Sequence, residues 1–340
     1  MRYPEFLQKN GTIGFVAPSF GCATEPYYTA FMSALGKFQD MGYNVQTGPN
    51  CLVEKGIGIS NEPKLCGMEL NESYCGTNND VIISCGGGEL MCEVVPYMDF
   101  ERIRNSKPKW YMGFSDNTNF TFLSATLCDT AAVYGPCASS FGMKPWHPAV
   151  SDAFALLCGE KNKVRNYDMW ERDSNKSEET PLAPYNVTEP VIIKNFPDEP
   201  AVMEGRLIGG CMDCLVNLLG TEFDHVKEFT GRYEEDGFIW FLESCDLNIM
   251  SIRRAIWQMK YAGWFSHVKG FLIGRPVCFG EEMFGIDQYR AVTDLLAEYR
   301  VPVIMDLDIG HMSPMMPVIT GALAKVKAEN NQFEMEYILK

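Results

Sequence analysis

Apolar residues along this chain fall in short unbroken runs, each closed by glycine, proline or serine. A stretch with helical spacing follows most of them. The first run is TIGFVAPS, Thr12 to Ser19. After it, Phe31, Leu35 and Phe38 recur at the interval of an amphipathic helix that closes near Gly42. DVIISCGGG, Asp80 to Gly88, repeats the arrangement, with a helix predicted through Val95. WYMGFS, from Trp110, is a third run with a helix predicted from about Asn117 to Cys128, and AAVYGP is a fourth. Runs of this kind read as buried strands. Their alternation with helices predicts an α/β fold whose N-terminal lobe is a Rossmann-like parallel sheet with flanking helices.

Over residues 161–200 this pattern lapses into polar, charged and proline-containing sequence, including NYDMWERDSNKSEETP. We read it as a linker or substrate loop, because loops of this length are usually functional or disordered. It separates an N-terminal domain, residues 1–160, from a C-terminal domain, residues 201–340. There the pattern resumes with GRLIGGCMDCLVNLLGT and GFIWFLE. Ile249, Ile252, Ile256 and Met259 share one helix face, and VKGFLIGRP and VPVIMDLDIGH are further strands. The chain ends in a predicted hairpin turning at Glu329 to Gln332. A second α/β lobe with a mixed sheet is expected.

Composition narrows the function. The 340 residues are 46% hydrophobic and 21% charged, an ordinary globular balance. A net charge of −15 with no basic cluster repels a polyphosphate, so no nucleic-acid polymer is expected as a partner. A single nucleotide or small peptide is compatible, since one pocket can differ from the average surface. The first apolar run is too short to cross a bilayer, and neither membrane association nor a cleaved export signal is expected. Thirteen cysteines, an odd number, include several within apolar runs, such as Cys85, Cys128 and Cys158. They read as free buried thiols of a cytoplasmic protein. Cys211 and Cys214 form a C-x-x-C with no second pair and no histidine at ligand spacing, so no metal is expected.

Candidate chemistry gathers at strand ends. In WYMGFSDNT, Ser115 sits where a strand turns into a helix, a corner that exposes a hydroxyl beside free helix N–H groups. The pattern is half of a nucleophile elbow, with Asn117 in place of the second glycine. By itself it reads better as a helix cap formed by Ser115 or Asp116. A nucleophile needs a base. Of four histidines, His147 lies in a proline-bounded loop, His225 amid charges, and His267 at a helix-to-strand junction. His311 follows a strand and a glycine directly, where α/β sites gather, and is the best candidate. Its orienting acid is Glu243, at the end of GFIWFLE, with Asp246 and Asp308 as alternatives. Gly86, Gly87 and Gly88 can present bare amides to an oxyanion or to a phosphate. The dinucleotide and P-loop fingerprints are both missing there. Arg275 in IGRP can bind a substrate carboxylate or phosphate, or stand in an ordinary ion pair.

Together, CGGGELMCEVVPYMDF, WYMGFSDNT, GRLIGGCMDCLVNLLGT, FLESCD, VKGFLIGRP and LDIGHMSPMMPVITGALAKV follow the order seen in the LD-carboxypeptidase and microcin C immunity family of serine peptidases. The chain resembles that family over nearly its whole length, most specifically at G-F-S-D and the terminal G-H-x-x-P, and its length resembles the microcin-immunity branch. The resemblance implies Ser115 as nucleophile, His311 as base and Glu243 as its acid. It implies oxyanion donors on the amides of Gly87 or Gly88 and of Asp116, no cofactor, and a homodimer. It also implies that Trp170 stacks on an adenine ring, in a substrate that is an aminoacyl or peptidyl nucleotide analogue. A murein tetrapeptide releasing D-alanine is the alternative substrate. Cys211 stands where the family often has Asn. A rival of another class, a two-lobed protein that only binds a ligand, explains a cleft but not serine, glutamate and histidine all at strand ends.

Overall fold

The computed structural model describes residues 1–339. Its first half runs β1 (Thr12–Val16), α1 (Tyr27–Asp40), β2 (Asn44–Thr47), α2 (Pro63–Cys75), β3 (Val81–Ser84), α3 (Phe100–Asn105), β4 (Trp110–Gly113), α4 (Thr118–Thr126) and β5 (Ala132–Tyr134). The apolar runs are the strands. Every residue of β3, β4 and β5 is buried, as expected of a sheet covered on both faces. They pair in parallel in the order β5-β4-β3-β1-β2, which brings the glycines after β3 next to the serine after β4.

After α5 (Pro148–Leu157) come β6 (Lys163–Arg165), β7 (Met169–Trp170), β8 (Glu189–Pro190) and β9 (Lys194–Phe196). The second half is β10 (Ala201–Cys211), α6 (Met212–Leu218), α7 (Val226–Arg232), β11 (Phe238–Glu243), α8 (Ile249–Tyr261), β12 (Val268–Gly274), a β13–β14 ribbon (Glu282–Met283 and Ile286–Asp287), α9 (Gln288–Leu296), β15 (Val303–Leu307), β16 (Val318–Thr320), β17 (Leu323–Glu329) and β18 (Gln332–Ile338). The large sheet is mixed, in the order β6-β18-β17-β10-β11-β12-β15-β9, with β10, β11, β12 and β15 parallel. Thus the two-lobed α/β architecture is present, with a mainly parallel first sheet and a mixed second one.

Residues 161–200, expected as a linker, supply both edge strands of the large sheet, β6 and β9, and the β7–β8 ribbon. Edge strands of two or three half-exposed residues carry no hydrophobic period, so the pattern of the chain does not disclose them. The strand β16 departs further from a simple division of the chain, since it crosses back to pair antiparallel with β5 of the first sheet. The terminal hairpin turns at Asn330 and Asn331, both with positive φ (52° and 61°), the backbone such a two-residue turn requires.

One helix joins the sheets. All nine residues of α4 are buried, with no polar face left to water. Its Thr118 hydroxyl accepts the Cys211 N–H at 3.0 Å, tying the helix after Ser115 to the end of β10. Buried clusters on both faces mix residues of the two sheets. The lobes therefore meet through a packed core, and what stands at their junction is held on both sides.

Candidate active site

Ser115 stands two residues past β4 with φ +62°, a left-handed backbone that non-glycine residues seldom adopt. Such strain persists only where surroundings enforce it. Asn117 does so: its Nδ2 donates to Gly86 O (2.8 Å) and Phe114 O (3.0 Å), and its Oδ1 accepts from the Tyr111 hydroxyl. Ser115 takes the left-handed angles, and Asn117 (φ −63°), in place of an elbow's second glycine, is the brace. No hydrogen bond from the Ser115 side chain caps the helix, so the capping reading gives way.

The Ser115 hydroxyl instead meets His311, with Oγ 2.9 Å from Nε2. The other ring nitrogen, Nδ1, lies 2.8 Å from Glu243 Oε2. Glu243 ends β11, wholly buried, while His311 keeps 15% of its side chain exposed. Gly310 makes the approach possible. Its φ is +103°, and a Cβ there would collide with the Glu243 carboxylate. Burial opposes charge on His311, but the Glu243 carboxylate, with Cys245 beside it, prevails and raises its pKa well above 6.5.

A residue that sequence reasoning missed completes the relay. The Tyr134 hydroxyl, at the end of β5, accepts the Ser115 N–H at 3.1 Å and donates to Glu243 Oε1. One buried oxygen thus holds both the strained turn and the acid. The signal was present, a tyrosine at the carboxyl end of AAVYGP, on the strand adjoining the one that carries the serine. Burial, and then the Glu243 carboxylate, hold its pKa well above 10, so it remains a donor.

Gly87 lies against the serine: a Cβ on it would sit 3.1 Å from Ser115 Cβ and 3.3 Å from Oγ. Gly87, Gly88 and Asp116 line the same cavity wall as Ser115. The Asp116 side chain faces inward, accepting from the Ser19 hydroxyl and from Met91 N–H at 2.8 Å. Burial lifts its pKa to about 6.

The other sequence candidates fall elsewhere. His147 caps α5, accepting Ala149 N–H at 3.1 Å, and burial lowers its pKa. His225 and His267 face Glu228 and Glu234 at the surface, at 4.0 and 3.8 Å. Asp246 is exposed, and Asp308 is taken by Arg275 at 3.2 Å. Trp170 and Arg275, expected at the substrate, need correction. They are 3% and 1% exposed and pack on each other, with the guanidinium carbon 4.5 Å from the ring centroid. Trp170 Nε1 donates to Pro190 O (3.2 Å), and Arg275 donates to Asp306 O (3.0 Å). With the aromatic face covered by a cation and the cation neutralised by Asp308, neither lines the cavity.

That cavity, about 530 Å³, opens in front of Ser115 and His311. The residues lining it include the acidic Glu54, Glu89, Asp116, Glu171, Asp213 and Asp246, and the basic Lys176. Lys176, on the segment between the lobes, is partly desolvated there, which lowers its pKa.

A two-lobed α/β scaffold with a serine, a histidine and a glutamate converging at strand ends has the layout of a hydrolase. Residues 13–135 match the LD-carboxypeptidase N-terminal domain and residues 204–326 the C-terminal domain; the chain belongs to the LD-carboxypeptidase family, peptidase family S66. It is 25% identical over 344 residues to the microcin C7 self-immunity protein MccF of Escherichia coli, covering 97% of this chain and 94% of that one. It is 25% identical over 332 residues to a Bacillus subtilis protein named "Probable murein peptide carboxypeptidase", covering 94% and 90%. The fold is that of MccF in complex with aspartyl sulfamoyl adenosine, at 22% identity and a TM-score of 0.82 over 100% and 99% of the chains.

Proposed function

We propose that the chain is a serine hydrolase that cleaves an amide-type bond through an acyl-enzyme. The observation that carries this reading is the continuous hydrogen-bonded line from Ser115 Oγ through His311 to Glu243. His311 takes the Ser115 proton as the oxygen attacks the substrate carbonyl, and passes it to the departing amine. Glu243 holds the imidazole and stabilises its charged form. The oxyanion donors of this reading are the amides of Gly87 and Asp116, whose residues stand beside Ser115 on the cavity wall. Water then enters the same path and releases the acyl group.

For the substrate, the cavity favours a small peptide carrying an amino group. Acidic residues outnumber the one lysine of the wall, which suits an amino group on the ligand. The aromatic face that suited an adenine is covered by Arg275. Without that platform, a peptide such as a murein tetrapeptide fits better than an aminoacyl nucleotide, the ligand class printed for MccF. Lys176 is suited to the carboxylate of a C-terminal residue.

A serine-directed phosphonate tests the chemistry. Labelling of the wild type and none of a folded Ser115→Ala variant is expected; turnover retained by that variant would refute the assignment. Murein tetrapeptides and aminoacyl-sulfamoyl adenylates, offered in parallel and read by mass spectrometry, test the substrate. Cleavage confined to the adenylates overturns the peptide reading.

A further inference from the structure

The Cys211–Cys214 motif takes no part in the chemistry proposed above, yet the fold carries it to the same place. Cys211 ends β10 and is the register partner of Glu243 at the end of the parallel strand β11. Parallel pairing sets the two side chains side by side, and His311 Nδ1 meets Glu243 Oε2 at 2.8 Å. One ligand atom from each of Cys211, Glu243 and His311 lies within 4.8 Å of the other two. The C-x-x-C thus finds as companions not a second cysteine pair but a carboxylate and an imidazole, 32 and 100 positions onward in the chain.

We infer that Cys211, Glu243 and His311 form a binding site for a soft divalent cation, Zn²⁺ by chemistry, whose occupancy shuts off the serine. Thiolate, imidazole and carboxylate are the donors Zn²⁺ takes, whereas a thiolate selects against Mg²⁺ and Ca²⁺. Tetrahedral ligands around zinc stand about 3.5 Å apart, so the site closes by side-chain rotation. Two anionic ligands balance the ion's charge. The fourth position faces the cavity, where Cys214 and Cys245 add further thiols. A second observation points the same way, since acidic residues outnumber the one lysine among those lining the cavity, which favours cations there.

Binding exchanges bonds in a balanced way. The Cys211 thiol, which now donates to Asp213 Oδ2 at 3.3 Å, gives its proton to solvent as sulfur bonds the ion. A protonated His311 likewise gives its extra proton to solvent, and one ring nitrogen of the neutral imidazole becomes a ligand and surrenders its hydrogen bond to Glu243 or to Ser115. Either loss removes the base.

The ion's presence can be read without any substrate, so the test stands apart from the hydrolase reading. Co²⁺ added to the full chain is expected to bind one equivalent, with the visible spectrum of a tetrahedral site and a thiolate charge-transfer band in the near ultraviolet. Zn²⁺ displaces it. Cys211→Ala abolishes the charge-transfer band and weakens binding by on the order of 100-fold, while Ser115→Ala keeps both. His311→Gln, a second probe should Cys211→Ala misfold, loses the tetrahedral spectrum. Zn²⁺ slows phosphonate labelling of Ser115, and a chelator restores it. A charge-transfer band that survives Cys211→Ala, or that fails to appear in the wild type, overturns the site. Labelling unchanged by bound Zn²⁺ overturns the inhibition.

Discussion

At the scale of single residues, the site depends on where protons and lone pairs are held. His311 is raised above 6.5 because the Glu243 carboxylate outweighs its burial. The neutral imidazole needed as base then predominates only above that raised pKa. The acid limb of kcat/KM is expected above pH 6.5, and Glu243→Gln should move it down toward that value while lowering kcat by roughly 10⁴-fold. For stability the sign is the reverse of the common carboxylate case. A raised imidazole contributes fully below its unfolded pKa, and the contribution is lost as pH rises through the folded one. Tyr134 is a positioning residue whose removal leaves two buried groups unpartnered. Tyr134→Phe should cost about 1–3 kcal/mol in denaturant unfolding. It should also slow kcat roughly tenfold with little change in KM, because the turn and the acid lose a common anchor. A drop in stability with kcat intact would make its role structural alone.

Elements transmit that order. The α4 helix carries the nucleophile's turn and docks on β10 through Thr118. Thr118→Val keeps the shape and deletes the acceptor of the Cys211 N–H. The expected outcome is a loss of about 1 kcal/mol in a denaturation curve, with a lower rate of phosphonate labelling. The elements were legible in the chain to different degrees. The wholly buried β3, β4 and β11 were evident because an unbroken apolar run ended by glycine, serine or glutamate has few other readings. The hairpin turn at Asn330 and Asn331 was legible for the same local reason. Strands β6 and β9 were not, because two or three residues at a sheet edge owe their conformation to their neighbours.

For the whole molecule, the decisive feature is the junction of two sheets. Arg275 shows what the junction does with charge: the guanidinium is buried, paired with Asp308 and stacked on Trp170. Arg275→Ala removes the cation beside that buried carboxylate, leaving it only the Tyr167 N–H, and should cost about 3–5 kcal/mol, measured by thermal or denaturant unfolding. KM should stay put, since Arg275 does not face the cavity; a raised KM would return it to the substrate. Trp170 was expected at the ligand from the family resemblance and Arg275 from its charge, and only their mutual packing shows that they satisfy each other.

What the amino-acid order by itself determined is therefore local. Apolar runs, glycine corners and terminal polar residues set the strands and the turns and made Ser115, Glu243 and His311 candidates, since strands and turns follow from short-range sterics and hydrophobic period; the resemblance to a family selected among the candidates. Tertiary structure decided the rest. It made one line of hydrogen bonds from groups 68 and 196 positions apart, set Tyr134 beneath two of them, and brought Cys211 alongside Glu243. Such convergence depends on how two sheets pack around α4, a property of the folded core that no local pattern encodes.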